Sequence, residues 1–551
     1  MSPPSSSADW SAVSPGELAS KYRQIESEEL PGTIWDLVER AAANFGTATA
    51  VNFFERKQAL SFVELRERAN SLAAALHGIG IGHGTHVGVM LPNRIEFPVT
   101  WLAIARLGAV MVPIITSSTA REIAFVIDDA DVDFLIAESS FVDRLRAIAG
   151  TTLALRSDRW IVVGGDASAD FLSFENLWST GSPEFRPPKI AEAADTLNIQ
   201  YTSGTTGLPK GVVQNHQYWV TTGVVMDKVL DGRIRTILSD HPFYYMDPQW
   251  MLVMGLYSGA RVDFSNSMSV RRFMGWVHEL GSELAWFPEP LLKEPPVQGK
   301  GASPVKVFLG YACTREMVAA AQERYGVRLC EAYGMTEVGG ALMVPPQLVD
   351  ERAAGTCGLP MPFRRCRIAD DAGNDVVRGE AGELWISGSG LSSGYYKRPE
   401  INRQLYVGGW FRTGDVFVQD ELGYFRIVGR IKDMIKRSGE NISAFEVEMV
   451  LKEMPEIQEA AVVPVPDDRR EQEVLAFVQL RAGLTERDVS PRVVLAYCAE
   501  RLAPFKVPRF IQYVGSFPYT ASDKVAKHLL LSDAALTGTK VFDADGGVWK
   551  V

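Results

Sequence analysis

A layered α/β body with largely parallel sheets, a β-rich subdomain and a small α+β C-terminal domain is the architecture this sequence predicts. Three observations carry it. From residue 33 onward, stretches of helical spacing alternate with short apolar runs bounded by turn residues. From about residue 353 the texture changes to glycine-punctuated strands. After "GRIKDMIKRSGENIS" (429–443) a helix, two strands and another helix form a set suited to a compact unit of roughly 120 residues. The 551 residues also exceed one ordinary core, at a prior of roughly 150 residues per domain.

Taken in order, "MSPPSSSADW" lacks a basic stretch followed by an apolar run, so it does not read as a secretory signal, and residues 1–20 read as a flexible leader. "TIWDLVERAAANFG" (33–46) and "SFVELRERANSLAAALHGIG" (61–80) carry apolar residues at three and four spacing and end on glycine, as helices do. "HVGVMLPN", "VMVPI", "FLIAES" and "RWIVVGG" supply short strands. "WLAIARLGAVMVPII" (101–115) is the most apolar stretch, but Arg106, Pro113 and its length make it a buried helix leading into a strand rather than a membrane span. "RRCRIAD", "GELWISG", "GWFRTGD" and "GYFRIVGR" are the strands of the β-rich part. "SAFEVEMVLKEM", "EAAVVPVP", "EVLAFVQL" and "SPRVVLAYCAERL" build the last domain. The boundary falls near Arg430–Asp433, giving a body over 21–431 and a C-terminal domain over 432–551.

Composition narrows the function classes. Apolar residues make up 46% and charged residues 22%, which suits a soluble globular protein. A formal net charge of −11 argues against broad capture of nucleic acid or an anionic membrane, so any phosphate site is local. Cys313, Cys330, Cys357, Cys366 and Cys498 show neither a CxxC pair nor finger spacing, which points to reduced thiols in the cytoplasm.

The densest chemistry lies in "YTSGTTGLPKG" (201–211). Glycines let main-chain amides approach a ligand, hydroxyls add rotatable donors and Lys210 adds charge, so the natural target is a polyphosphate. It is not a Walker A loop: Pro209 precedes the lysine and "GVV" follows, so strands rather than a helix flank it. A glycine-rich hairpin with nothing bound is the competing reading.

That stretch resembles the signature loop of the acyl-adenylate-forming superfamily, which comprises acyl-CoA synthetases, peptide-synthetase adenylation domains and firefly luciferases. The resemblance continues in order through "LGYAC" (309–313), "YGMTE" (333–337), "GELWISG" (382–388), "GYYKRPE" (394–400), "FRTGD" (411–415), "GRIKDMIKRSGENIS" (429–443) and "FPYTASDKVAK" (517–527). It implies an adenylate-forming body with a mobile C-terminal domain, acting with ATP, Mg²⁺ and coenzyme A on a small carboxylic acid, with a homodimer left open.

Carried over, the resemblance implies that Thr202, Ser203, Gly204, Thr205, Thr206, Gly207 and Lys210 hold the β- and γ-phosphates of ATP. It implies that Gly310, Tyr311 and Ala312, with Glu331, Ala332, Tyr333, Gly334 and Met335, surround the nucleotide. Tyr333 would stack on adenine, Thr336 would touch the α-phosphate and Glu337 would bind the metal. Asp415 would accept from the ribose hydroxyls, with Ile427 and Arg430 beside them, and a carboxylate suits a diol in this way. Lys436, Gly439 and Glu440 would serve near the nucleotide, and Lys432 stands where relatives have the hinge of the small domain. Lys524 would bridge the substrate carboxylate and α-phosphate as negative charge concentrates between them. The catalytic set is thus Lys524, Lys436, Thr336 and Glu337.

Two departures stand out. Asp523 occupies a position where the family has glycine. Tyr245, in "HPFYYMDPQWM" (241–251), stands where the family has histidine. With Tyr244, Asp247, Trp250, Trp286, Phe287, Tyr311 and Gly334 it outlines an aromatic-walled acyl site, in which Asp247 could hold a cationic acyl group. The stretch Glu289–Val305 is shorter than in typical relatives, and His216 and His241 are the histidines nearest the chemistry. The resemblance implies an acid:CoA ligase. A ligase loading a separate carrier protein and a silent sensor of the same fold are its alternatives.

Overall fold

The structure is a computed structural model, and it describes residues 10–148, 156–164, 171–202, 209–294, 303–348, 350–438, 440–467, 469–520, 524–531 and 540–550. The chain divides into two compact units: Met1–Thr202 with Pro209–Cys366 and Ile386–Phe411, and Ser203–Leu208 with Arg367–Trp385 and Arg412–Val551.

The first unit is built on two sheets. One places Leu172–Ser173, Trp160–Val163, Phe134–Glu138, His86–Met90, Val110–Pro113, Thr196–Thr202 and Lys210–Asn215 side by side. Every neighbouring pair in it is parallel except the last, which is an antiparallel hairpin. The nine-stranded sheet runs from Leu359–Pro360 through Gly339–Met343, Arg328–Met335, Val307–Gly310, Leu284–Trp286, Thr236–Ser239, Arg261–Phe264 and Thr49–Phe53 to Gln58–Ser61. Its five central pairings are parallel. Burial on both faces explains why its strands read as continuous apolar runs rather than as alternating ones.

Helices fill the space around the sheets. "WLAIARLGAVMVPII" resolves into the helix Glu96–Leu107 and the strand Val110–Pro113, both almost wholly buried, and Trp101 stacks edge-on against Trp219 with ring centroids 5.4 Å apart. His216–Val229 and Met246–Ser258 pack so closely at Gly223 that a Cβ there would stand 2.6 Å from the Val253 side chain. Within the stretch 1–20 read as a leader, the structure places part of a helix, Pro15–Glu26. Ser14 opens it with a capping box to Glu17, Leu18 is buried, and Val13 donates its N–H to the Gln347 carbonyl at 3.0 Å. Serines and prolines ahead of Trp10 masked that start.

A five-stranded sheet has the order Arg365–Ala369, Ala381–Ser387, Trp410–Gln419, Tyr406–Val407, with Phe425–Arg430 pairing Trp410–Gln419. These are the glycine-punctuated strands of the sequence.

In the second unit the C-terminal sheet runs Glu440–Ser443, Met434–Arg437, Glu471–Leu480, Phe510–Tyr513, Val541–Asp543, Val548–Lys550, and Ile457–Asp467 pairs antiparallel with Glu471–Leu480. The helices Ala444–Lys452 and Pro491–Arg501 close a core that includes Ile435, Val447, Leu451, Val474 and Ile511. Arg437 reaches the fully buried Glu473 at 2.7 Å, a second arginine, Arg470, reaches it at 2.8 Å, and this fixes the short strand that carries Lys436.

Candidate active site

The hairpin Thr196–Thr202 and Lys210–Asn215, whose last pair is Thr202 with Lys210, flanks the segment that the sequence reads as a phosphate loop. Ser203, Gly204, Thr205, Thr206 and Gly207 lie outside the described residues, so the hairpin's two ends define where the loop begins and returns. Gly211 is forced: a Cβ there would stand 2.5 Å from Ile199 Cγ2 and 3.1 Å from the Tyr201 ring.

The segment Ser393–Tyr396 docks on that hairpin like a short strand. Val213 donates to the Gly394 carbonyl, Ser393 to the Val213 carbonyl and Tyr396 to the Gly211 carbonyl, each at 2.8 Å. Tyr395 is thereby set over Lys210, whose ammonium lies 5.5 Å from its ring centroid. The Tyr395 hydroxyl donates to Glu337 Oε1 at 2.6 Å, and both residues are buried. A cation on the face of the ring and a carboxylate on its hydroxyl are both favourable contacts.

Glu337 and Thr336 follow the strand Arg328–Met335, which pairs antiparallel with Gly339–Met343. Gly334 allows the two chains to cross closely, since a Cβ would meet the Gly339 carbonyl at 2.5 Å. The Thr336 carbonyl accepts from the Tyr218 hydroxyl and from Gln214 Nε2, both at 3.0 Å. Tyr333 is half-buried and donates weakly to Met335 Sδ at 3.7 Å.

On the neighbouring strand, Gly310 ends Val307–Gly310 and pairs with Glu331. The Glu331 side chain is structural, since its oxygens accept the backbone N–H of Ala312 at 2.9 Å and of Cys313 at 2.6 Å. That clamp holds Ala312 at φ +52°, a left-handed conformation unusual for alanine. Burial pushes the Glu331 carboxyl up to about 7, against the lowering pull of those donors. Ala332 is buried behind it.

The aromatic residues do gather. Trp286 and Tyr311 stack with centroids 4.0 Å apart, and Trp250 meets Trp286 edge-on. Asp247 Oδ1 accepts from Trp250 Nε1 at 2.9 Å and from the Tyr311 hydroxyl at 3.2 Å. Tyr245 precedes the helix Met246–Ser258 as its cap residue, with Tyr244 edge-on at 4.8 Å. Phe287 belongs elsewhere, packing on Phe308 in a core cluster. His216 is also core: it is fully buried, accepts from the Ile34 N–H at 3.3 Å, and burial pushes its imidazole down to about 4, so it is neutral. His241 sits half-buried beside Asp240 at 3.1 Å.

In the second unit, Asp415 and Arg430 face each other across their hairpin, Arg430 Nε lying 2.8 Å from Asp415 Oδ1. Asp415 is buried and Ile427 is half-buried on the same hairpin. Lys432 lies in the 3₁₀ turn Ile431–Asp433 and is exposed. Lys436 is exposed on Met434–Arg437, with its N–H donating to Gln472 Oε1 at 2.8 Å, and Glu440 is exposed on the paired strand. Lys524 is exposed, and its carbonyl accepts the Thr520 N–H at 2.7 Å. Gly439, Asp523 and residues 295–302 of the stretch Glu289–Val305 lie outside the described residues.

Tyr395, Gln214 and Tyr218 are the site residues that sequence reasoning missed. "GYYKRPE" was legible as a motif, but nothing in it marked which tyrosine points toward Glu337.

The class that this fold and site define is confirmed by comparison. Residues 38–396 match the AMP-binding enzyme family and residues 446–524 match the AMP-binding enzyme C-terminal domain. The chain belongs to the AMP-binding enzyme family. Among similar proteins, the crotonobetaine/carnitine–CoA ligase of Salmonella paratyphi A is 30% identical over 515 residues, covering 90% of this chain and 97% of that one. The long-chain-fatty-acid–CoA ligase FadD13 of Mycobacterium tuberculosis is 28% identical over 492 residues, covering 87% and 94%. The anthranilate CoA ligase AuaEII, solved with anthranoyl-AMP, superposes with a TM-score of 0.84 at 25% identity, over 92% of this chain and 98% of that one. No helix among the described residues is long and apolar enough to cross a membrane.

Proposed function

We propose that this chain is an AMP-forming carboxylic acid:CoA ligase. In the first half-reaction a substrate carboxylate oxygen attacks the α-phosphorus of ATP, and the bond to pyrophosphate breaks. In the second, the CoA thiol attacks the acyl carbon of the mixed anhydride, and AMP leaves with the bonding electrons. The observation that carries this reading is the meeting of Lys210 and Glu337 on Tyr395, beside the phosphate loop.

Lys210 would neutralise the departing phosphates, and the Thr336 and loop hydroxyls would add donors to their oxygens. Magnesium, when bound, supplies further neutralisation of the polyphosphate. Glu337 fits that ion: it is a nearly buried carboxylate, and among the described residues no three His, Cys, Asp or Glu side chains cluster as an all-protein cage. Magnesium usually takes one or two carboxylates, substrate phosphates and water. Asp415, ion-paired to Arg430, would accept from the ribose diol. Lys524 would steady the reacting oxygens during adenylation, and Lys436 would serve thioester formation after the C-terminal domain turns about Lys432. A domain boundary at 431/432 belongs to the same proposal.

The acid would lie against Trp250, Trp286 and Tyr311, beside Asp247. Five cysteines that form no disulfide favour a reducing compartment, the cytoplasm. The test is a screen of carboxylic acids, betaine-type, aromatic and aliphatic, for pyrophosphate release with and without CoA. Acid-dependent release followed by CoA-dependent appearance of AMP supports the reading. No acid-dependent release across the panel overturns it.

A further inference from the structure

In the proposed site, Lys210 and Glu337 bear opposite charges, and each contacts a different part of the same tyrosine. Resting on that reading of the site, we propose that Tyr395 is a positioning residue that fixes both groups for the metal-bound triphosphate. Its hydroxyl, 2.6 Å from Glu337 Oε1, occupies one direction of the carboxylate and sets its rotation. Its ring face, 5.5 Å from the Lys210 ammonium, gives the cation a resting place that leaves its charge intact.

The physical need is specific. Opposite charges one side chain apart attract, and a direct pair would occupy each with the other before any ligand arrived. A neutral hydroxyl and a π face satisfy each group without cancelling it. A carboxylate held by a partner also loses less ordering entropy when it meets a metal, which is the general role of groups behind metal ligands.

The backbone around Tyr395 is built for placement. Asn402 Oδ1 accepts the Tyr395 N–H at 2.8 Å, and Asn402 Nδ2 donates to the Tyr395 carbonyl at 2.9 Å. Gly394, at φ +109°, admits the Asn402 amide where a Cβ would stand 2.9 Å from it. Gly394 and Tyr396 are tied on either side to the strand that begins at Lys210. The tyrosine, the lysine strand and the clamp are therefore tied together, and the contact with Glu337 joins to them the turn between Arg328–Met335 and Gly339–Met343.

The experiment is calorimetric titration of ATP into the full chain, across a range of Mg²⁺ concentrations and in EDTA, with thermal melting as the check on folding. Tyr395→Phe keeps the ring and removes the hydroxyl. It is expected to raise the Mg²⁺ concentration for half-maximal tightening of ATP about tenfold, while ATP affinity in EDTA stays unchanged. Tyr395→Leu removes the ring as well and is expected to weaken ATP in both arms. A Phe variant with the wild-type Mg²⁺ requirement, or with equal losses in both arms, overturns the assignment. If the wild type gains no affinity from Mg²⁺, the reading of the site falls and the assignment with it. Should the Phe variant fail to fold, Asn402→Ala leaves the hydroxyl and loosens the clamp; it is expected to raise the Mg²⁺ requirement, and an unchanged requirement overturns the proposal.

Discussion

Glu331 illustrates what one residue does in this site. Its carboxylate is buried and accepts two backbone N–H groups, so the loop bearing Tyr311 and the left-handed Ala312 depends on it. Its carboxyl is raised to about 7, above the usual carboxylate value, so the folded chain holds a proton that the unfolded chain releases near pH 4.5. Stability from this group is therefore full below about pH 4.5 and declines as pH rises toward 7. Glu331→Gln mimics the protonated form and removes that slope. The stability of the wild type relative to the variant should fall by ~2 kcal/mol between pH 5 and pH 8, read by chemical denaturation. A pH-independent difference would show that Glu331 does not change protonation on folding. The sequence marked Glu331 as near the nucleotide through its place before "YGMTE", but its structural role was illegible, because a side chain bonded to backbone amides 18 and 19 residues away leaves no spacing signal.

Elements are where local sequence spoke most clearly, and where its silence has a definite cause. The apolar runs at 86–90, 110–113 and 134–138 became parallel neighbours because both faces of the sheet are covered. The hairpin around the segment read as a phosphate loop was legible from Pro209 before the lysine and "GVV" after it. The docking of Ser393–Tyr396 on it was not: the hydrogen bond from Tyr395 to Glu337 spans 58 residues, and such pairings carry no periodicity. Asp415 and Arg430 were each read as nucleotide contacts, and their mutual ion pair became visible only once the hairpin register set them opposite. At this scale Gly211 is the sensitive position. A Cβ would stand 2.5 Å from Ile199 Cγ2, so the hairpin must open or the sheet must shift. Gly211→Ala is expected to destabilise the chain by about 1 to 3 kcal/mol and to weaken ATP binding, since Lys210 is the adjacent residue. Melting temperature and ATP titration check the two effects, and a variant with wild-type values in both would show that the strand tolerates the methyl.

At the scale of the whole molecule the proposed reaction poses a conflict that the sequence alone suggests how to resolve. Adenylation requires a cation at the reacting oxygens, whereas thiol attack requires room at the acyl carbon, and one fixed arrangement cannot serve both. Of the three lysines given roles in that proposal, Lys524 lies near the C-terminus, Lys436 on the first strand of the C-terminal sheet and Lys432 in the turn just before it. On the proposed role, in which its charge acts at the adenylation transition state alone, Lys524→Ala should suppress acid-dependent exchange of pyrophosphate into ATP by on the order of 100-fold or more, while sparing thioester formation from supplied acyl-adenylate. Equal loss in both half-reactions would sink that division of labour. Lys432→Pro tests the turning itself. Proline fixes φ near −65° and removes an N–H, so a chain that must rotate at this position is held in one arrangement. Exchange of labelled pyrophosphate should persist in this variant while CoA-dependent release of AMP falls at least tenfold, which a reduced CoA affinity would not mimic at saturating CoA. If thioester turnover stays at the wild-type rate, the chain does not turn at Lys432, and the two geometries must be reached by motion elsewhere.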